Sequence, residues 1–409
     1  MEKMAGKTSY SWALIGGLSF WAVLQPVVGC SGDSDGDTDG TVGDSPLVTQ
    51  LLQTVGTDVI VPALERFESA SLNLTDALVD LEAAALAGED TGEALTAAQD
   101  RWVDTMLVWA ELDLMQIGPQ GSSLTAIDGA DLRDEIYSWP TTVNPCRVDQ
   151  VTADETYSDG DFITSNLVNA YGLDALEHLL YADFDTPCPS PVPPVSDGTW
   201  DALGEEGILL NRIAYAQVLS AHLEELAADL LATWSSDQDD YGSRLARLSE
   251  DTPYTSDQEA LNAVFDALFY LEKTTKDVKL AKPLGLIDCS DDLCPDDVEG
   301  LLSQTALRSV EANIVGFSAL FHGADGVGMD DLLVDVGHGD LATQITSDIE
   351  EALDALALLE GPLDEAVVDR YEEVENFYEE LRDVTSALKG DLATILALQI
   401  PSEAAGDND

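Results

Sequence analysis

The stretch ITSNLVNAYGLDALEHLLYA, residues 163–182, decides how the rest of this chain is interpreted. Its apolar residues recur at helical spacing, which predicts one helix through the whole stretch. Asp174 and Glu177 are three positions apart, so they share one helix face within reach of a common ligand. Gly172 lies in the apolar stripe, where the missing side chain lets another backbone come close. The same two carboxylates also fit a solvated acidic face opposite the stripe, the usual amphipathic arrangement.

The charge balance of the chain excludes two classes of partner. Of its 409 residues, 79 are acidic and 17 are basic, which gives a formal net charge of −62. Nucleic acids and anionic membrane surfaces are bound through basic patches, so we expect neither as a partner. Such a charge keeps a chain soluble and attracts cations. An acidic proteome from a salty habitat would give the same composition, because salt screens the repulsion.

Residues 1–29 have the pattern of an export signal, with a basic start followed by an apolar run. The run ends at Val27-Val28-Gly29-Cys30, which resembles a bacterial lipobox with Cys30 as the lipidated first residue of the mature protein. An ordinary signal peptide with a leftover cysteine is the alternative. A lipid on Cys30 would anchor the protein to a membrane without a spanning helix.

Residues 30–46 are an acidic run of Ser, Gly and Asp that cannot form a core, and we interpret them as a flexible tether. Part of this run resembles a calcium-binding loop that begins at Asp35. The twelfth position of that loop is Pro46, however, where calcium needs a bidentate glutamate, so the tether is the favoured interpretation.

Residues 47–390 show helical spacing of apolar residues almost throughout, and no region has the two-residue alternation of strands. We therefore predict an all-α domain of two helical-bundle halves, 47–198 and 199–390, with a cleft between them. Residues 391–409 form a C-terminal tail.

The predicted helix at residues 91–115 carries Trp102, Met106 and Trp109 on one side, and an aromatic stripe at this spacing is typical of a core. Further along the chain, the spacing predicts helices at 257–277 and 297–321 among others.

Four cysteines besides Cys30 predict disulfides, because an even number in an exported chain usually pairs. Cys289 and Cys294 share one short loop and should bond to each other. Cys146 and Cys188 then pair across the two loops that flank residues 163–182. Neither a zinc site nor a cysteine nucleophile is expected, because no histidine lies at ligand spacing from a cysteine pair.

Several motifs together resemble the imelysin-like family of bacterial periplasmic and lipid-anchored proteins, over about residues 47–390. The motifs, in chain order, are Ile117-Gly118-Pro119, Ser138-Trp139-Pro140, GLDALEHLL at 172–180, KLAKPLG at 279–285, Asn313 with Gly316, and GADGVG at 323–328 followed by DDLL at 330–333. The resemblance implies a two-bundle helical fold with a cleft. It also implies a binding or accessory role in iron uptake across the cell envelope, although the family is sometimes filed with metallopeptidases.

The family's Gly-x-His-x-x-Glu motif is altered here. Gly172 and Glu177 carry over, but Asp174 stands at the histidine position. A histidine and a glutamate suit a transition metal, whereas two carboxylates offer only oxygens and suit harder cations. Asp174 and Glu177 are therefore candidate ligands for a divalent or ferric ion. His178 lies about 100° around the helix from Glu177 and is not an obvious substitute.

Three functions stay open. The favoured one is a non-catalytic, lipid-anchored protein of the cell envelope that binds a metal ion, a metal complex or an envelope partner in metal uptake. A metal-dependent peptidase is disfavoured, because the chain has no His-Glu-x-x-His pair. A structural lipoprotein with a degenerate site is the third. His322 and His338 flank a late loop and could approach a site between the halves. Ser31 after the cysteine favours the outer membrane.

Overall fold

The computed structural model of the chain describes residues 45–140, 143–235 and 239–400. Within these ranges the chain is helical and contains no β-strand, which confirms the all-α prediction. The division into two halves stays a prediction. The predicted signal peptide, the lipidation site at Cys30 and the tether up to residue 44 lie outside the described residues.

The α-helices, numbered in chain order, are α1 (Pro46–Thr54), α2 (Val61–Ala87), α3 (Gly92–Asp113), α4 (Leu132–Ile136), α5 (Pro145–Asp154), α6 (Phe162–Ser165), α7 (Leu173–Tyr181), α8 (Thr199–Trp234), α9 (Tyr241–Leu245), α10 (Asp257–Leu268), α11 (Ala306–His322), α12 (Met329–Asp335), α13 (Gly339–Leu356), α14 (Leu363–Asp369), α15 (Tyr371–Ala387) and α16 (Ala393–Ile395). Three π-helical segments join or extend them, at Val55–Ile60, Leu271–Ala281 and Leu388–Leu392.

The helix formed by α1, the first π-helical segment and α2 is the longest continuous helix of the fold. Pro62 lies just after the first π-helical segment, and the helix continues through it without a break. The stretch Pro46–Ala87 is long and apolar enough to span a membrane, with a mean hydropathy of 1.3 over its best window. Since 56% of that window is buried and α2 packs on α3 and α8, it behaves as a core helix.

The aromatic stripe on α3 lies in the core, as predicted. Trp102, Met106 and Trp109 are all at most 2% exposed. The ring of Trp109 packs 5.1 Å from that of Phe67 on α2. Large aromatic side chains bury the most apolar area per residue, so this contact fixes α3 against α2.

Residues 163–182 do not form the single helix that their spacing predicts. The helix α6 ends at Ser165, and α7 begins only at Leu173. Between them, Gly172 has φ 90° and ψ −175°, a conformation that is open almost only to glycine. A β-carbon at Gly172 would lie 2.9 Å from the carbonyl oxygen of Ile136. The predicted close approach of another backbone at Gly172 is therefore confirmed. Gly172, however, lies at the start of a helix and not in the middle of one.

The predicted helix at 297–321 is also too long, because α11 begins at Ala306. The residues before it form turns, and Gly300 has a left-handed φ of 60°. The predicted helix at 257–277 divides into α10 and the π-helical segment Leu271–Ala281. The turns at 298–305 carry Ser303, whose side chain contacts α7.

Candidate functional site

A cavity of about 220 Å³ lies beside α7, and Asp174, Glu177 and His178 form part of its wall. The two predicted ligands thus reach one shared space, as their spacing on a helix face requires. The interpretation of this face as a freely solvated acidic surface is wrong, because both carboxylates are only partly exposed and accept hydrogen bonds from serines in distant segments. Gly172 is the residue at which α7, the helix that carries both carboxylates, begins.

Each carboxylate is held by one serine through two hydrogen bonds to a single oxygen. The backbone N–H and the hydroxyl of Ser138 donate to Asp174 Oδ2 over 3.1 and 2.7 Å. The same two groups of Ser303 donate to Glu177 Oε1 over 2.8 and 2.7 Å. We call these two contacts the serine clamps. Each clamp occupies one oxygen of its carboxylate, and the other oxygen of Asp174, Oδ1, is buried without a hydrogen-bond partner.

The two carboxyl groups ionise less readily than ordinary ones. Burial raises the pKa of Asp174 to about 7, against the opposing effect of the Ser138 bonds and of the Arg133 charge, and the nearby Glu177 adds to the increase. Burial likewise raises the pKa of Glu177, although the bonds from Ser303 oppose it. Two neighbouring acids that are shielded from water repel each other when both are ionised, so a positive charge between them would favour the ionised pair.

The positive side chains around the cavity already have carboxylate partners of their own. Arg133 pairs with the buried Asp113 over 2.7 Å. At the cavity wall, Lys282 pairs with Asp297 over 3.2 Å. These pairs leave much of the negative charge of the α7 carboxylates uncompensated, since a cation that is matched to one anion stabilises a second one less.

A second buried polar cluster fixes His178 at the cavity wall. Its Nε2 lies 2.9 Å from Asp149 Oδ1, and Arg212 Nη2 lies 3.5 Å from the same oxygen. Asp149 is fully buried. His178 lines the same cavity as the two carboxylates. The angle between His178 and Glu177 on the helix had argued against a place for this histidine in the site.

Two other histidines that seemed able to reach the site do not line the cavity. His322 contacts Ser318 and Thr346, and His338 stands at the start of α13. The expectation that they approach the site is wrong.

Both predicted disulfides are present, Cys146–Cys188 and Cys289–Cys294. Disulfides persist in oxidising compartments, so the pair is consistent with an extracytoplasmic protein. Each disulfide has one cysteine close in sequence to a residue of the cavity wall. Cys146 follows Pro145, and Cys294 lies two residues before Asp296.

The donor set fits a hard cation only in part. Among residues 45–140, 143–235 and 239–400, no group of three or more His, Cys, Asp or Glu side chains is placed to hold a metal ion. Asp174 and Glu177 supply oxygen donors, and the buried, unpartnered Oδ1 of Asp174 has no other role in the described structure. These are ligands suited to hard cations, but the remainder of a coordination shell has to come from water or from a chelator that arrives with the ion.

Sequence reasoning missed the residues that build the far side of the site. Ser303 fell inside a predicted helix, and Tyr137, Lys279 and Glu299 had no assigned role. Tyr137, Lys279 and Glu299 are at most 4% exposed. The burial of the lysine and the glutamate could not be foreseen, because charged residues are rarely buried unless they are paired. Lys279 is the first residue of the KLAKPLG motif, and this membership was the one available signal.

These features define an all-helical protein with a clamped pair of acids at a cavity. Residues 61–388 match the family model for imelysin, peptidase family M75, and the chain belongs to the imelysin family. Among curated protein sequences, none gives a significant match.

Two solved structures share the fold. An imelysin-like protein from Psychrobacter arcticum 273-4 has a TM-score of 0.67 and 18% identity, covering 88% of this chain and 98% of its own. A protein named as an iron-regulated protein A precursor, from Parabacteroides distasonis ATCC 8503, has a TM-score of 0.64 and 14% identity with the same coverage.

Proposed function

We propose that this protein binds a cationic metal species at Asp174 and Glu177, as a non-catalytic binding or accessory protein of the cell envelope in metal acquisition. The observation that carries the proposal is a pair of half-buried carboxylates, each clamped through one oxygen, whose pKa values are raised by desolvation. A cation in the cavity would supply the missing charge, and the free oxygens would be its ligands.

The ion is cargo in this proposal. The chain offers two carboxylates, whereas catalytic zinc centres use three protein ligands and one open position. An ion that keeps water or an organic chelator on its remaining positions would fit a cavity of about 220 Å³. The iron-regulated name of one structural relative supports iron as the cargo, in the divalent or ferric state.

The location that goes with this role is a lipid anchor at Cys30, with the domain held away from the membrane by the acidic tether. The lipobox-like ending of the signal and the two disulfides support export. The outer membrane is the favoured location of the anchor. The expected partner is an envelope protein that receives the metal. Replacing Cys30 with serine should release the protein from the membrane fraction, and retention of the variant there would contradict the anchor.

The proposal is tested by metal content. The full chain, purified without chelators, should carry a stoichiometric ion in mass spectrometry of the metals, and Asp174→Asn/Glu177→Gln should lose it. Asp348→Asn/Glu351→Gln is the matched control, because these residues have the same types and spacing on α13, away from the cavity. An equal metal content in all three proteins would contradict the proposed site. Cleavage of a peptide that Glu177→Gln abolishes would instead favour the peptidase alternative.

A further inference from the structure

The two serine clamps belong to chain segments that are far apart in sequence but joined by one buried hydrogen bond. Tyr137 precedes the clamp residue Ser138, and Glu299 lies four residues before the clamp residue Ser303. The hydroxyl of Tyr137 donates to Glu299 Oε1 over 2.8 Å. The two side chains are 4% and 2% exposed, so this contact is shielded from water.

A third residue, Lys279, also contacts Glu299. Lys279 Nζ lies 2.9 Å from Glu299 Oε1 and donates to Ser309 Oγ over 3.0 Å. It also lies 5.7 Å from the ring centroid of Trp139, next to the Ser138 clamp. Lys279 belongs to the π-helical segment Leu271–Ala281 and is 1% exposed. One carboxylate oxygen of Glu299 therefore receives two donors, the Tyr137 hydroxyl and the Lys279 ammonium.

The turn between Glu299 and Ser303 can transmit a displacement. The amide of Gln304 donates to the carbonyl oxygen of Gly300 over 2.7 Å. The hydroxyl of Ser303 also contacts that oxygen, at 3.3 Å, and Thr305 Oγ1, at 2.9 Å. A turn with this many internal bonds moves as a unit, so a displacement of Glu299 should carry Ser303 with it.

We propose that Tyr137, Glu299 and Lys279 form a bridge that couples the two serine clamps, so that both carboxylates are positioned together or not at all. In this role Glu299 is a positioning residue that does not touch the cation. A buried hydrogen bond to a charged group contributes more than an ordinary one, which makes Tyr137–Glu299 strong enough to link two loops. The consequence for cation binding rests on the proposed function, but the coupling itself does not.

The test of the coupling needs no ligand. It follows hydrogen exchange at two backbone amides, those of Ser138 and Ser303, which donate to Asp174 and Glu177. Tyr137→Phe removes one oxygen, and we expect exchange at the Ser303 amide to accelerate roughly tenfold in the full chain. Ser303→Ala should accelerate exchange at the Ser138 amide, and this effect should vanish when Tyr137→Phe is already present.

The matched control is Tyr371→Phe, which removes a hydroxyl that donates to Glu375 over 3.1 Å on α15. It should leave both clamp amides unchanged. Glu299→Gln is a second route to the same answer, because it keeps the side-chain shape but removes the ion pair with Lys279. We expect Glu299→Gln to accelerate hydrogen exchange at the Ser303 amide as well. If neither Tyr137→Phe nor Glu299→Gln changes exchange at Ser303, the bridge is overturned.

Titration with Mn²⁺ alone separates this proposal from the proposed function. If the wild-type protein binds Mn²⁺, Tyr137→Phe should weaken the affinity roughly tenfold, whereas Tyr371→Phe should not. An unchanged affinity in Tyr137→Phe would overturn the bridge as a positioning device. If the wild-type protein binds no Mn²⁺, the proposed cation site fails, while the exchange experiment still decides whether the clamps are coupled.

Discussion

The hydroxyl of Ser303 donates to Glu177 Oε1 over 2.7 Å, although the two residues are separated by 126 positions in the chain. This bond, with the backbone N–H of the same serine, favours the ionised carboxylate and opposes the effect of burial on the pKa of Glu177. Ser303 therefore favours the ionised form of Glu177, which the proposed cation site requires.

Removing that hydroxyl should make cation binding more dependent on pH. Ser303→Ala raises the pKa of Glu177 further, so a proton competes with the cation up to a higher pH. We expect the Mn²⁺ affinity to fall roughly tenfold at pH 6 and distinctly less at pH 8, measured by isothermal titration. Ser347→Ala is the control, because Ser347 donates to Glu351 over 3.3 Å on an exposed part of α13. An equal loss at both pH values would argue against this effect on the Glu177 pKa.

The stability of the fold should decrease with pH through Asp174. Its pKa is about 7 in the folded state and near the ordinary value of 3.8 in the unfolded chain. Between these values the folded state holds more protons, so the free energy of unfolding falls as the pH rises toward 7. Asp174→Asn removes this loss. The stability of the variant relative to wild type should therefore rise between pH 4 and 8, by at most about 4 kcal/mol in urea unfolding.

A control of opposite sign exists for that measurement. Hydrogen bonds from Ser123 lower the pKa of Asp131, so its contribution to stability is present above the unfolded pKa and is lost as the pH falls. Asp131→Asn should therefore change the pH profile only on the acid side. A flat difference between Asp174→Asn and wild type across pH 4 to 8 would show that Asp174 is not buried as described.

Gly172 should tolerate no side chain. Gly172→Ala places a β-carbon 2.9 Å from the Ile136 carbonyl oxygen and forces alanine into φ 90°. Each effect is unfavourable, and together we expect a loss of about 3 kcal/mol in the free energy of unfolding, measured in urea. Gly88→Ala is a milder reference, because Gly88 is an ordinary left-handed position with φ 69° and nothing within 4 Å of its β-carbon position. It should cost about 1 kcal/mol, and an equal loss at both glycines would contradict the larger cost expected at Gly172.

The sequence was sufficient to predict the parts of the fold that depend on periodicity. The buried stripe of Trp102, Met106 and Trp109 follows from helical spacing alone, because burial repeats with the turn of the helix. The same geometry brought Asp174 and Glu177 to one face. It failed at Gly172, since the local spacing of apolar residues continues across a helix start that a backbone contact from Ile136 imposes.

The remainder of the site could not be predicted, because its donors lie in irregular segments distant in sequence. Ser303 is one serine among many until the turn at Gly300 directs it toward Glu177. Lys279 and Glu299 are charged, so the pattern of polar and apolar residues assigns both to the surface. Only their mutual pairing, which is a tertiary contact, makes their burial tolerable.

The two disulfides should contribute unequally to stability, and the reason is the length of chain each one closes. Cys146–Cys188 spans 42 positions, whereas Cys289–Cys294 spans 5. Loop-closure entropy predicts that replacing the first pair with serines costs about 4 kcal/mol in the free energy of unfolding, and the second about 2 kcal/mol. Urea unfolding of the two double variants measures both values, with wild type under oxidising conditions as the reference. Equal losses would mean that strain or residual structure in the unfolded chain, and not loop length, sets the contribution of these bonds.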